Sequence, residues 1–214
     1  MRHRPPYRLA VFDFDGTLAD TFASFTHLVN RLADEFGFAR IEEHELDRLR
    51  RKDPVAVMKR LGIPTWKLPS IAHRMRKLLA SEAHTIALFD GARACLQTLH
   101  EQNVKIAIVS SNAEPTIRSV LGPDLATVID RFECGASLWG KPSKLRKVLR
   151  TTGIEGTHAI YIGDEIRDAQ AARTTDMAFG AVSWGYTPLD ALLPHEPNEV
   201  FASFDEIPPK LTSV

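Results

Sequence analysis

The stretch Leu9-Ala-Val-Phe-Asp13-Phe-Asp15-Gly-Thr-Leu18 ends an apolar run with two aspartates, one residue apart, at a glycine. Residues two apart on a strand point the same way, so Asp13 and Asp15 can serve one site if the chain bends at Gly16. Two bare carboxylates that close repel: either one holds a proton, or a cation sits between them. Such a pair can supply a nucleophile and its proton carrier. A solvated acidic turn fits an isolated pair of this kind equally well, and the rest of the chain has to decide.

Other polar residues stand where further strands should end. Ser110-Ser111-Asn112 follows the apolar run Val104 to Val109, and Gly163-Asp-Glu-Ile-Arg-Asp168 follows Ala159 to Ile162. Lys141 occupies a Gly-Lys-Pro turn ahead of a helix. Asp164 and Asp168, four apart across a helix start, can face the same way. Three or four carboxylates in one cleft stay anionic only around a divalent cation. Oxygen ligands without Cys or His mean a hard ion, and with phosphate nearby Mg²⁺ is favoured. The turn at Ser110 offers amides to an anion. A lysine at a helix start is unfavourable unless an anion is close. Each group has an ordinary alternative: helix capping for Asp164 and Asp168, a plain turn serine, a solvated lysine.

Those residues need a scaffold that brings four segments together, and the apolar pattern supplies one. Leu9 to Phe12 reads as a central strand of a parallel sheet. Asp20 or Thr21 caps a helix with the stripe Phe22, Phe25, Leu28, Val29, Leu32 and Phe36, stopped by Gly37. Residues 41 to 84 read as helices jointed at Pro54, Gly62-Ile-Pro64 and Pro69. From Asp90, helices and strands alternate. A helix ends at Gly122, a weaker strand covers Ile129 to Cys134, a helix opens at Pro142, and a strand runs from Ala178 to Ser183. The tail beyond Pro188 reads as one short edge strand near Val200 and a loose end.

That alternation implies an α/β fold, a Rossmann-like three-layer parallel sheet with right-handed crossovers and an inserted α-helical block. The expected division is a core of residues 1–20 and 86–214 and a helical cap of residues 21–85. In such sheets ligands bind at the carboxyl ends of the strands, where the polar residues above are found.

Composition narrows the function. Lys+Arg and Asp+Glu are equal at 27 each, so no overall charge draws the chain to nucleic acid or membrane, and no apolar run spans a bilayer. Residues 40 to 84 hold eleven Lys/Arg against six Asp/Glu, an excess suited to an anionic substrate. Cys95 and Cys134 lie in apolar patterns and read as reduced core residues. The basic N-terminal segment enters the first strand without a signal-type apolar stretch. The expectation is a cytoplasmic protein, monomer or homodimer, acting on a small molecule.

Taken in order, Asp13-Phe-Asp15-Gly-Thr, Ser110, Lys141 and Gly163-Asp-Glu-Ile-Arg-Asp168 resemble the four motifs of the haloacid dehalogenase superfamily. Ile-Gly-Asp-Glu-Ile-Arg-Asp-Ala-Gln-Ala-Ala-Arg and Val-Ser-Trp-Gly-Tyr186 look most like its phosphoglycolate-phosphatase-like branch, and the helical insertion looks like that superfamily's small mobile cap. The resemblance implies a Mg²⁺-dependent phosphatase of a small phosphomonoester. Asp13 would attack phosphorus to give an aspartyl-phosphate, and Asp15 would protonate the leaving oxygen and later activate water. Asp13, the Asp15 carbonyl, Asp164 and Asp168 would hold the metal. Ser110, with Ser111 and Asn112 beside it, and Lys141 would hold the phosphoryl oxygens.

The same resemblance leaves other chemistries to weigh. A dehalogenase would not normally carry an acid at position 15. Sugar-phosphate mutases of this branch usually have a histidine where this chain has Phe25. A phosphonate hydrolase would need a cap lysine, for which Lys52 and Lys59 are candidates, and a catalytically idle binding module would not need every motif acid. Glu165 stands where many members have a small hydroxyl residue and has no assigned role. Arg48, Arg51, Lys52 and Lys59 are cap candidates for meeting the substrate's charge.

Overall fold

In the computed structural model, which describes residues 7–52, 54–135 and 140–213, the apolar runs become the middle of one parallel sheet. The strands are β1 (Leu9–Phe12), β2 (Ala19–Asp20), β3 (Ala87–Leu88), β4 (Lys105–Val109), β5 (Arg131–Glu133), β6 (Ala159–Gly163), β7 (Ala178–Val182) and β8 (Glu199–Phe201). Six of them pair in the order β5-β4-β1-β6-β7-β8, every neighbour parallel. The basic stretch of residues 1–6 lies outside the described residues.

The period of two divides the strand residues between two apolar layers. Ala10, Phe12, Ile106, Ile108, Ile160 and Ile162 join one; Leu9, Val11, Ala107, Val109, Ala159 and Tyr161 join the other. Burial on both faces is why β1, β4 and β6 read as unbroken apolar runs.

The helices are α1 (Phe22–Phe36), α2 (Leu46–Arg50), α3 (Pro54–Arg60), α4 (Leu68–Ser81), α5 (Ala92–Glu101), α6 (Glu114–Thr127), α7 (Lys141–Thr152), α8 (Ile166–Thr174), α9 (Leu189–Leu192) and α10 (Ile207–Thr212). Leu145 and Val148 of α7 with Ala169, Ala171 and Ala172 of α8 cover one face of the sheet. Leu96 and Leu99 of α5 with Ile117 and Leu121 of α6 cover the other. Helices α1 to α4 lie between β2 and β3, and α1 packs against α4. None of the described helices is long and apolar enough to cross a membrane.

β2 and β3, on either side of α1 to α4, form an antiparallel pair too short to leave a period in the sequence. Three expectations need correction. Gly122 does not close its helix: it breaks the turn at φ 78°, and Pro123 restarts the helix as far as Thr127. Thr21 stands at the N-cap of α1 without a side-chain capping bond. The tail is not loose: α10 buries Ile207 and Leu211 completely, each worth about 1.5–3 kcal/mol, and Tyr7 N–H donates to the Leu211 carbonyl at 2.9 Å.

Candidate active site

β1 ends at Phe12, and Asp13 extends its ladder by one bond, its N–H donating to the Ile162 carbonyl at 2.9 Å. The carboxylate is fixed at both oxygens. Oδ1 accepts from the Phe14 amide at 2.8 Å, and Oδ2 accepts from Lys141 Nζ at 2.6 Å. Gly16 then turns the chain at φ 77°, and a Cβ there would lie 2.4 Å from Asp164 Oδ2. A glycine is needed on both counts.

Asp15 faces the end of β4. Ser110 Oγ donates to its Oδ2 at 3.3 Å and Asn112 Nδ2 to its Oδ1 at 3.4 Å. The Asn112 amide in turn holds Ser110 Oγ at 3.0 Å. Ser110 and Asn112 are buried and Ser111 is half-buried in the same turn.

Lys141 opens α7 and is 4% exposed, so the solvated-lysine alternative fails. Besides Asp13 it meets Asp168 in a very close ion pair. Burial opposes its charge, but Asp13 and Asp168 outweigh burial and hold the ammonium above its ordinary range. The cation at this helix start therefore has the anions that its position calls for.

Asp164 follows β6, accepting from Thr17 Oγ1 at 2.7 Å and from the Tyr186 amide at 2.7 Å. Asp168 forms a capping box with Glu165 at the start of α8. Its Oδ2 accepts from the Glu165 amide at 3.0 Å, and its Oδ1 from the Tyr161 hydroxyl at 3.0 Å and from Lys141. Here the capping alternative is realised. Glu165 is both the N-cap residue of α8 and the close partner of Arg167.

Oxygens of Asp13, Asp164 and Asp168 all lie within 4.8 Å of one another, and all three side chains are buried. Burial pushes Asp13 up to about 7 against the pull of Lys141. Burial, followed by Glu165, Asp13 and Asp168, raises Asp164 well above the ordinary carboxylate range. Burial also raises Asp15. The cluster carries more carboxylate than its resident cations neutralise. An all-oxygen donor set with a charge deficit of that sign fits a hard divalent cation.

Three contributors carried no assignment in the sequence reading. Thr17 lies inside the first motif. Tyr186 supplies its amide to Asp164, and its hydroxyl lies 2.5 Å from Thr21 Oγ1. Arg50 donates to the Tyr186 and Gly185 carbonyls at 2.6 and 2.9 Å, with its guanidinium 4.7 Å above the Phe22 ring. Of the expected cap cations, Arg48 pairs with Glu45 and Arg51 with Asp190. Lys59 is exposed, and Lys52 lines the cavity beside Asp15.

Comparison with known proteins is consistent with this geometry. A family model described as haloacid dehalogenase-like hydrolase matches residues 10–182. The chain is similar to a phosphoglycolate phosphatase of Synechococcus elongatus, 28% identical over 86% of this chain and 87% of that protein. A phosphoglycolate phosphatase of Agrobacterium fabrum is 26% identical over 99% of this chain and 95% of its own length. Among solved structures, one described as a predicted phosphatase from Clostridium acetobutylicum superposes with a TM-score of 0.82 at 22% identity, covering 98% of this chain and 100% of that one. A haloacid dehalogenase-like family hydrolase from Streptococcus pneumoniae superposes with a TM-score of 0.78 at 19% identity, covering 94% and 96%. At those identities the structures speak for the fold.

Proposed function

The chain belongs to the haloacid dehalogenase-like hydrolases, and from that premise we propose that it is a Mg²⁺-dependent phosphatase that hydrolyses a small phosphomonoester through an aspartyl-phosphate. The names of its relatives supply phosphoglycolate as the first ester to assay. The observation that carries the reading is the buried meeting of Asp13 with Lys141 at 2.6 Å, two residues from a second aspartate that has its own donors.

In this reading an Asp13 carboxylate oxygen attacks phosphorus while the bond to the ester oxygen breaks. Asp15 gives its proton to that departing oxygen, so the alcohol leaves neutral. Asp15, now anionic, takes a proton from water as the water attacks the phosphoryl group, which frees Asp13 and yields inorganic phosphate. Desolvation raises the affinity of half-buried Asp15 for its proton, which suits the first step. Lys141 fixes the nucleophile and offsets charge on the phosphoryl oxygens, and the Ser110-Ser111-Asn112 turn supplies donors. Asp13, the Asp15 carbonyl and Asp164 would hold Mg²⁺, with Asp168 joining directly or through water. When bound, the ion supplies positive charge to the transferring phosphoryl group.

The helices within residues 21–85 act as a cap over a core of residues 1–20 and 86–214, opening to admit substrate and then excluding water. Cys95 and Cys134 are free, and burial pushes both thiols up to about 12. Unreactive reduced thiols support a cytoplasmic setting.

Release of phosphate from a generic aryl phosphate tests the reading. Wild type is expected to release it with Mg²⁺ and to stop on chelation, and Asp13→Asn to release none. Equal release by the two proteins contradicts it.

A further inference from the structure

A cavity of about 340 Å³ extends from Asp15 in among helices α1 to α4. Its floor is polar, with Asp15, Asn112 and Tyr186 on it. Its walls are not. Phe25 from α1, Leu49 from α2, Met58 from α3, and Ile71 and Met75 from α4 all face it. Four helices thus turn apolar side chains toward a space that begins at the group assigned to protonate the leaving oxygen. Around Tyr186 the lining is aromatic: the Phe22 and Phe25 rings lie 5.3 and 5.9 Å from its ring.

A leaving group with a carboxylate would meet few cations on so apolar a lining. Of the cations on the cavity, Arg50 is committed to the Gly185 and Tyr186 carbonyls and Arg167 to Glu165. The other two are Lys52, exposed to solvent, and Arg76, half-buried. A carboxylate drawn in against these walls loses its hydration without a matched donor set. Size points the same way. At about 30 Å³ for each water-sized group, the cavity takes on the order of ten such groups, about twice the non-hydrogen atoms of a two-carbon hydroxy acid. Met58 and Met75 are side chains that adapt to irregular apolar shapes.

We propose that this cavity receives the alcohol portion of the ester and that the alcohol is apolar, an alkyl or aryl group of about six to ten carbons. The inference rests on the phosphatase reading for the reaction, and on the cavity alone for the identity of the leaving group.

The test is a series of n-alkyl phosphates from ethyl to decyl, with phosphoglycolate beside them, ranked by kcat/KM. Burial of each methylene predicts a gain of about fourfold until the cavity fills, with hexyl phosphate above phosphoglycolate. A flat or falling series, or phosphoglycolate as the best ester, overturns the inference while leaving the phosphatase reading intact. The matching n-alkyl phosphonates, which are not hydrolysed, are titrated by calorimetry. If no ester turns over but phosphonate affinity climbs with chain length, the catalytic reading fails and the apolar cavity assignment stands. If phosphonate affinity is independent of length, the assignment is wrong whatever the kinetics. Ala72→Phe, which adds bulk to the wall on α4, is expected to end the gain at a shorter chain.

Discussion

Lys141 and Asp13, 128 positions apart, meet with Nζ 2.6 Å from Oδ2, and both side chains are almost wholly buried. The same ammonium also pairs with Asp168, so one cation ties the end of β1 to the start of α8. A buried charge left without its partner is expensive, because neither solvent nor a neighbouring dipole replaces it. Lys141→Met should cost about 3–5 kcal/mol of stability near neutral pH. It should also lower turnover by at least about 10²-fold. Denaturant midpoints and kcat measure the two effects, and a variant as stable and as active as wild type would remove Lys141 from the site.

Protonation of the acidic cluster couples stability to pH and to Mg²⁺. Burial raises Asp13 from 3.8 to about 7 and also raises Asp164. Between about pH 4 and pH 7 the metal-free folded protein therefore binds more protons than the unfolded chain, and its stability falls as pH rises through that window. A cation bound by these carboxylates displaces the protons, so its stabilising effect grows with pH. Thermal melts with Mg²⁺ and with a chelator should differ more at pH 8 than at pH 5. An equal shift at both values would speak against carboxylate ligands.

Gly185 sits where the loop after β7 passes Asp164. A Cβ at this position would lie 2.0 Å from Asp164 Cβ, and the next amide, that of Tyr186, holds Asp164 Oδ2 at 2.7 Å. Gly185→Ala must displace one of the two. It should weaken Mg²⁺ binding about 10–100-fold, as loss of a ligand's supporting contact does, and cost about 1–3 kcal/mol of stability. The Mg²⁺ concentration for half-maximal activity is the readout, and an unchanged value would separate Asp164 from the metal.

Asp13, Asp15, Ser110 and Asp164 were legible because each follows an apolar run whose end is visible in the sequence, and because strand ends gather ligands in such sheets; Lys141 was legible from its Gly-Lys-Pro turn at a helix start and from the motif order. Asp168 was only half legible. Its spacing suits metal binding and helix capping alike, and the contacts that separate them come from Tyr161 and Lys141, on other elements. Arg50 left no signal: its acceptors are backbone carbonyls 135 and 136 positions away, which any residue type would present. In the tail, Pro and acidic residues masked the Ile207 and Leu211 pair, four apart on one helix face. Composition over a short window reports the exposed face more strongly than two buried side chains.

The central claim is that Asp13 carries the phosphoryl group, and trapping it is the most direct measurement. An aryl phosphate has a good leaving group and needs little help from Asp15 in the first step, whereas release of Asp13 still needs the base. Asp15→Asn mixed with an aryl phosphate and Mg²⁺, quenched in acid and mapped by peptide mass spectrometry, should show a phosphate on Asp13. Wild type should show less, and Asp13→Asn none. Steady release of phosphate by wild type with no phosphate on Asp13 in either wild type or Asp15→Asn, or with the phosphate on another residue, would contradict the account.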